Sequence, residues 1–253
     1  MPKNISAHST EIPGGTAGPA PAFASFCVAA LTLVLFGPTL SHGAAPQSVV
    51  FFTGSVQGYL DQCGCTRFPM GGLDRRAGFI TQVRRRWPAA TPILLDSGNF
   101  ADTPGAAGDV KTKGLIRAMN RLGYLASGVG ERELLGGFEA FQQLTAEAQF
   151  PFIATSLVRE RDGSPWLTSS GTLRAGNLQV GVLAVTRQNP SLRMALPDGD
   201  AVVSVDPIAA VRNELQRIRP GCDLTVVLAA LPIEEARVLA RRGPGSAATL
   251  GGP

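Results

Sequence analysis

Histidine is almost absent from this sequence: only His8 and His42 occur in 253 residues. Both precede or fall within an N-terminal segment that has the parts of an export signal. Beyond it no imidazole remains, which excludes a Ser-His-Asp triad, an H-E-x-x-H zinc helix, a Cys-His dyad and any histidine general base. Lysine is nearly as scarce, with Lys3, Lys111 and Lys113 alone, so the net charge of +4 rests on arginine. Tyrosine and tryptophan number two each. So small a positive excess without interleaved aromatics lacks the electrostatic footprint of a nucleic-acid surface, and no nucleic-acid partner is expected. No Cys-x-x-Cys-His occurs, so c-type haem attachment is excluded.

What is present begins with the leader. Lys3 is followed by a polar stretch, the apolar run Phe26–Phe36, and Gly43 and Ala45 at the spacing of a small-residue cleavage site. Residues 1–45 therefore read as a signal peptide or N-terminal anchor, with Cys27 in its apolar core. The run is short for a bilayer span. The rest of the chain is expected to be exported, periplasmic or extracellular, and membrane-tethered only if the leader stays uncleaved.

From residue 46 onward short apolar strands alternate with amphipathic helices. Strands are expected at Ser48–Thr53, Pro92–Leu95, Ala126–Val129, Phe150–Ala154 and Leu224–Ala230, and a hairpin at Gly171–Arg174 and Leu178–Val185. Helices are expected from Leu73 through Val83, then at Lys113–Leu122, Phe138–Ala148, Pro207–Ile218 and Ile233–Arg241. This alternation predicts an α/β layer fold with buried, mainly parallel strands. In such sheets function gathers at the carboxyl ends of the strands. Those ends are Gly54–Gly58, Gly98–Phe100, Gly130–Glu133, Ala229–Pro232 and Gly251–Pro253.

Taken in order, with the phrases Gly71-Gly72-Leu73-Asp74-Arg75-Arg76 and Met119-Asn120-Arg121-Leu122-Gly123-Tyr124, these ends resemble the metallophosphoesterase (calcineurin-like) domain of the 5′-nucleotidase family. The resemblance runs from about Val49 to Pro253 and implies an α/β/β/α sandwich around a two-metal phosphoesterase site. It also implies that the last active-site strand and a C-terminal substrate domain lie beyond this sequence. That family holds its metals with Asp-x-His, Gly-Asp, Gly-Asn-His-Glu, a lone His and Gly-His-x-His. Here Ser55 and Gln57, Asn99, Glu131 and Arg132, and Ala230 stand at the corresponding positions. Neutral oxygens and a fixed cation are poor partners for two divalent ions. The resemblance thus points to a non-catalytic binding or docking domain, with no cofactor. The alternative is a phosphohydrolase whose divalent metal is held by relocated carboxylates such as Asp61, Asp96, Glu131 and Glu133. The Glu131–Glu133 segment by itself reads as an exposed loop with an Arg–Glu pair.

Two further features stand apart. Cys63-Gly64-Cys65 follows the first strand and resembles a motif of an exported bacterial branch of the same family. The pair could form a strained disulfide, ligate a soft metal in a redox-associated module, or be free. Cys222 precedes a strand where Cys63 follows one, so the two are expected at opposite edges of a parallel sheet, too far apart to bridge. Arg67, Arg75 and Arg76 with the Gly71 and Gly72 amides could form an anion pocket, joined by Arg132. The partners considered are an anionic small molecule and an exported protein. Trp87, Trp166 and Tyr124 are expected to pack rather than to stack on ligands.

Overall fold

In the computed structural model the described residues are 46–62, 64, 67, 70–243 and 248–251; the leader over residues 1–45, Cys63 and Cys65 lie outside them. Four strands, β1 (Ser48–Thr53), β2 (Thr91–Asp96), β3 (Tyr124–Gly128) and β4 (Phe152–Ile153), form a parallel sheet in that order. A second sheet has the order β11-β10-β7-β6, with β10 (Leu224–Ala230) flanked in parallel by β7 (Leu178–Thr186) and β11 (Ala248–Gly251). Strand β6 (Ser170–Ala175) closes against β7 as the antiparallel hairpin expected from the sequence.

The period of two along each strand decides the layers. Ile93 and Leu95 of β2 point inward with Val180, Val182 and Ala184 of β7 and with Val226 and Leu228 of β10 to fill the space between the sheets. Leu94, one residue out of phase, packs on the other face with Leu115, Ile116 and Met119. Those three lie on helix α2 (Ala106–Leu122), which covers the first sheet beside α1 (Leu73–Arg86) and α4 (Gly137–Glu147). Likewise Leu183, Val185, Val227 and Ala229 face outward, against Val211 and Leu215 of α5 (Pro207–Ile218) and Ala236 and Leu239 of α6 (Ile233–Arg242). The result is helices, sheet, sheet, helices: the α/β/β/α sandwich that the strand–helix alternation and the resemblance anticipated.

Three features depart from the sequence reading. Helix α2 starts seven residues before Lys113, because Gly105 at φ 135 turns the chain into it and Gly108 sits where a Cβ would fall 1.8 Å from the Thr103 carbonyl oxygen. A small antiparallel sheet of β5 (Leu157–Arg159), β9 (Ala201–Ser204) and β8 (Arg193–Ala195) went unread, its strands being too short for periodicity to register. Its buried Leu157, Met194 and Val202 join the core under α2 and α4. Finally, β1 and β10 belong to different sheets, so Cys222 is not at the opposite edge of the sheet that precedes Cys63; its thiol instead donates to the Ile218 carbonyl at 3.3 Å. Trp166 packs on Phe141 with ring centroids 4.8 Å apart, and Trp87 lies under the Arg86 guanidinium.

Phe100, stacked on Phe152, is the largest of the fully buried side chains among the described residues. Phe100→Ala is expected to destabilise the protein by about 3–5 kcal/mol, read as a lower urea midpoint with unchanged far-ultraviolet dichroism.

Candidate functional site

The carboxyl ends of β1, β2 and β3 lie side by side, and three backbone bonds lace the first two loops together. The Ser55 amide donates to the Gly98 carbonyl (3.0 Å), Gln57 to Asn99 (3.0 Å) and Gly58 to Phe100 (2.8 Å). Ser55, Gln57 and Asn99 all adopt left-handed backbone, at φ 53, 52 and 56, and they are the only described non-glycine residues that do. Such a conformation costs an ordinary side chain roughly 1–2 kcal/mol. All three coincide with positions singled out as altered metal ligands.

The third loop enters through α3 (Glu131–Leu134), whose N-cap Gly130 lies where any Cβ would meet Asn99 Oδ1 at 2.3 Å. The Asn99 amide oxygen accepts from the Arg132 backbone N–H (3.1 Å). Glu133 is not an exposed loop residue: it is 3% exposed and accepts from the backbone amides of Asn99 (2.8 Å), Ala101 (2.9 Å) and Gly130 (2.8 Å). Burial holds its carboxyl above the usual range, against the pull of those three donors. Nor does Arg132 pair with a glutamate. Its Nε donates to the Ala101 carbonyl (2.6 Å) and its Nη2 lies 3.8 Å from Asp102 Oδ1. It lines a small cavity with Thr112 and Gln143, whereas Arg75 and Arg76 line a groove beside β1.

Glu131 reaches the other sheet: its Oε1 accepts from Asn189 Nδ2 (3.1 Å) in the loop after β7, so the strand ends of both sheets share one rim. Ala230 closes β10 there, buried and in register with Thr186. The hydroxyls of Ser97 and Thr186, at the ends of β2 and β7, are buried without a hydrogen-bond partner among the described residues. Asp61 is exposed. Gly71 and Gly72, at φ 75 and 90, lead into α1, and Arg75 and Arg76 line an open groove beside β1. Arg67 is exposed and lies outside the groove lining.

Asp96 is wholly buried beneath this rim. It accepts from Thr53 Oγ1 (2.5 Å) and from the Gly98 amide (2.8 Å). Thr53 in turn meets the Tyr124 hydroxyl (2.9 Å), which accepts from Arg76 Nη1 (3.4 Å). This relay was not read from the sequence. Its one available sign was a polar threonine closing an apolar strand, opposite Asp96 in the β1–β2 register. Desolvation raises the Asp96 carboxyl to about 7, against the lowering effect of the Thr53 bond.

Among the described residues no cluster of three or more His, Cys, Asp or Glu side chains could hold a metal. The donors present do not fit a dinuclear centre: Ser55, Gln57 and Asn99 are neutral, and Arg132 is cationic. Glu131, Glu133 and Asp96 each already accept from protein donors.

No protein-family model matches this sequence. A 2′,3′-cyclic-nucleotide 2′-phosphodiesterase/3′-nucleotidase of Yersinia enterocolitica is 26% identical over 102 residues, which is 37% of this chain and 15% of that protein. The 5′-nucleotidase precursor of Thermus thermophilus superposes with a TM-score of 0.67 at 24% identity, over 80% of this chain and 41% of that one. The calcineurin-like phosphoesterase YfkN of Bacillus subtilis does so at 0.61 and 18% identity, over 80% and 70%. The fold is that of the calcineurin-like phosphoesterases. This chain spans less than half the length of the Thermus 5′-nucleotidase, and only a small part of the Yersinia protein.

Glu133→Ala is expected to cost about 3 kcal/mol by orphaning three backbone amides, measured by urea unfolding. For Asp96 the expected effect is a pH dependence. Between its ordinary 3.8 and about 7 the unfolded chain has shed a proton that the folded state keeps. Stability therefore falls as pH rises through that window, by up to about 1.4 kcal/mol per unit. Asp96→Asn keeps the Gly98 bond through its amide oxygen, with the Thr53 hydroxyl turned to accept from its amide nitrogen, and should flatten that slope in urea midpoints taken from about pH 4 to pH 8.

Proposed function

We propose that this calcineurin-like phosphoesterase fold serves as an exported, non-hydrolytic binding or docking domain whose ligand meets the shared strand-end rim. One observation carries the reading. At the rim Ser55, Gln57 and Asn99 hold left-handed backbone, while Glu131, Glu133 and Asp96 each already accept from a protein donor. The same backbone, with neutral side chains and two unpartnered buried hydroxyls, suits a polar ligand better than a pair of divalent cations. The leader of residues 1–45 supports action outside the cytoplasm. An anionic small molecule and an exported protein are the partner classes this rim fits.

A second reading, a metal-dependent phosphohydrolase, draws on the relatives' names and on the retained loops. It would draw its ligands from the carboxylates Asp61, Asp96, Glu131 and Glu133, of which Asp96, Glu131 and Glu133 already accept from protein donors. Separation of the two is direct. Purified without a histidine tag, the protein is expected to carry well under one equivalent of divalent metal by elemental analysis. It should also release no phosphate from nucleoside monophosphates or 2′,3′-cyclic nucleotides. Phosphate release abolished by a chelator would replace the binding reading with the hydrolytic one. A bound zinc or copper ion lost in Cys63→Ser would move the function to the Cys63–Cys65 loop.

A further inference from the structure

Among the described residues the first sheet ends on β1, whose outer edge none of them pairs and whose inner face is partly exposed. In the β1–β2 register Val50 pairs with Ile93 and Phe52 with Leu95. Ile93 and Leu95 are wholly buried under the second sheet, yet one strand further out Val50 is 39% and Phe52 38% exposed. Two bonds fix which way the backbone points: the Thr91 amide donates to Gln47, and the Ser97 amide to Thr53. In a parallel ladder this phase turns the peptide groups of Val49, Phe51 and Thr53 toward β2. The N–H and C=O groups of Ser48, Val50 and Phe52 then face outward, where no described residue pairs with them. An open groove of about 620 Å³ wraps this edge. Its far wall is α1, with Phe79 60% exposed, and Met70 beside it. The lining contains Arg75 and Arg76 and no carboxylate.

We propose that the β1 edge receives an extended, acidic-apolar segment of a partner protein as an added strand. Main-chain bonds to Val50 and Phe52 supply the pairing, and the added strand's side chains alternate between two walls. On the inner side apolar side chains continue the layer of Val50 and Phe52; on the α1 side carboxylates meet Arg75 and Arg76. Long apolar edge strands are ordinarily blunted by charge, proline or a bulge, and β1 carries none of these over Ser48–Thr53. Charge selects the partner over a second copy of this chain. Antiparallel pairing of two β1 strands would set two α1 helices on one face of a continuous sheet. Each brings Arg75, Arg76, Arg84, Arg85 and Arg86 to that face. The groove shares Thr53, Tyr124 and Arg76 with the relay beneath the strand-end rim, but the inference rests on the sheet edge and not on the function assigned to the rim.

The test uses two acetylated, amidated nonapeptides, one alternating valine with glutamate and one valine with lysine, titrated against the protein by calorimetry. Amide hydrogen exchange is followed by nuclear magnetic resonance. The glutamate peptide is expected to bind and to slow exchange at Val50 and Phe52. The lysine peptide should bind about tenfold more weakly or not at all. Val50→Pro removes an outward N–H without touching the ladder to β2, so it should abolish binding while leaving the urea midpoint nearly unchanged. Arg76→Gln should shrink the preference for glutamate over lysine. Equal binding by Val50→Pro, equal affinity for both peptides, no binding at millimolar peptide, or a β1-paired homodimer in sedimentation would each overturn the proposal.

Discussion

The Glu133 carboxylate, buried and shared among the amides of Asn99, Ala101 and Gly130, is the contact on which the strand-end rim depends. A single side chain from α3 satisfies donors from the loop after β2 and from the turn after β3, so the two loops move as one body. The β1 loop is laced to the same body through the Gly98, Asn99 and Phe100 carbonyls. Left-handed backbone at Ser55, Gln57 and Asn99 is affordable only inside such an overdetermined arrangement, because each departure is strained by itself.

That rigidity bears on function. The fold is that of the calcineurin-like phosphoesterases, and here the strand-end loops are laced together by backbone bonds. The side chains they present at the rim are amides, hydroxyls and an arginine drawn toward Ala101 and Asp102. Carboxylates are not lacking near the rim, but Glu131, Glu133 and Asp96 each accept from protein donors. Asp96 shows the cost: held under the rim by Thr53 and Gly98, it is desolvated enough to keep its proton to about pH 7.

The electrostatics of the two faces differ accordingly. At the rim the arginine is tied to a carbonyl and to Asp102, whose own carboxyl the Lys111 ammonium holds below its usual range. Beside β1, Arg76 donates to the Tyr124 hydroxyl, and the groove around it is lined mostly by apolar side chains.

The sequence by itself determined the layers. Strands β2, β7 and β10 are apolar on both faces, so each sheet must be covered on both sides, and the amphipathic helices, with one apolar stripe each, can cover only the outer faces. It also located the strand ends, since a strand's polar successor is visible in one dimension. Only the tertiary structure decided the rest, because it depends on which loops become neighbours. That Glu133 serves three amides, that Asp96 joins Thr53 and Tyr124, and that Arg132 turns away from Arg76 are meetings between segments dozens of residues apart. The short strands β5, β8 and β9 acquire their pairing only from one another. The exposure of β1 is of the same kind: SVVFFT reads as a buried strand, and only sheet order places it at an edge where half of its peptide groups remain unpaired.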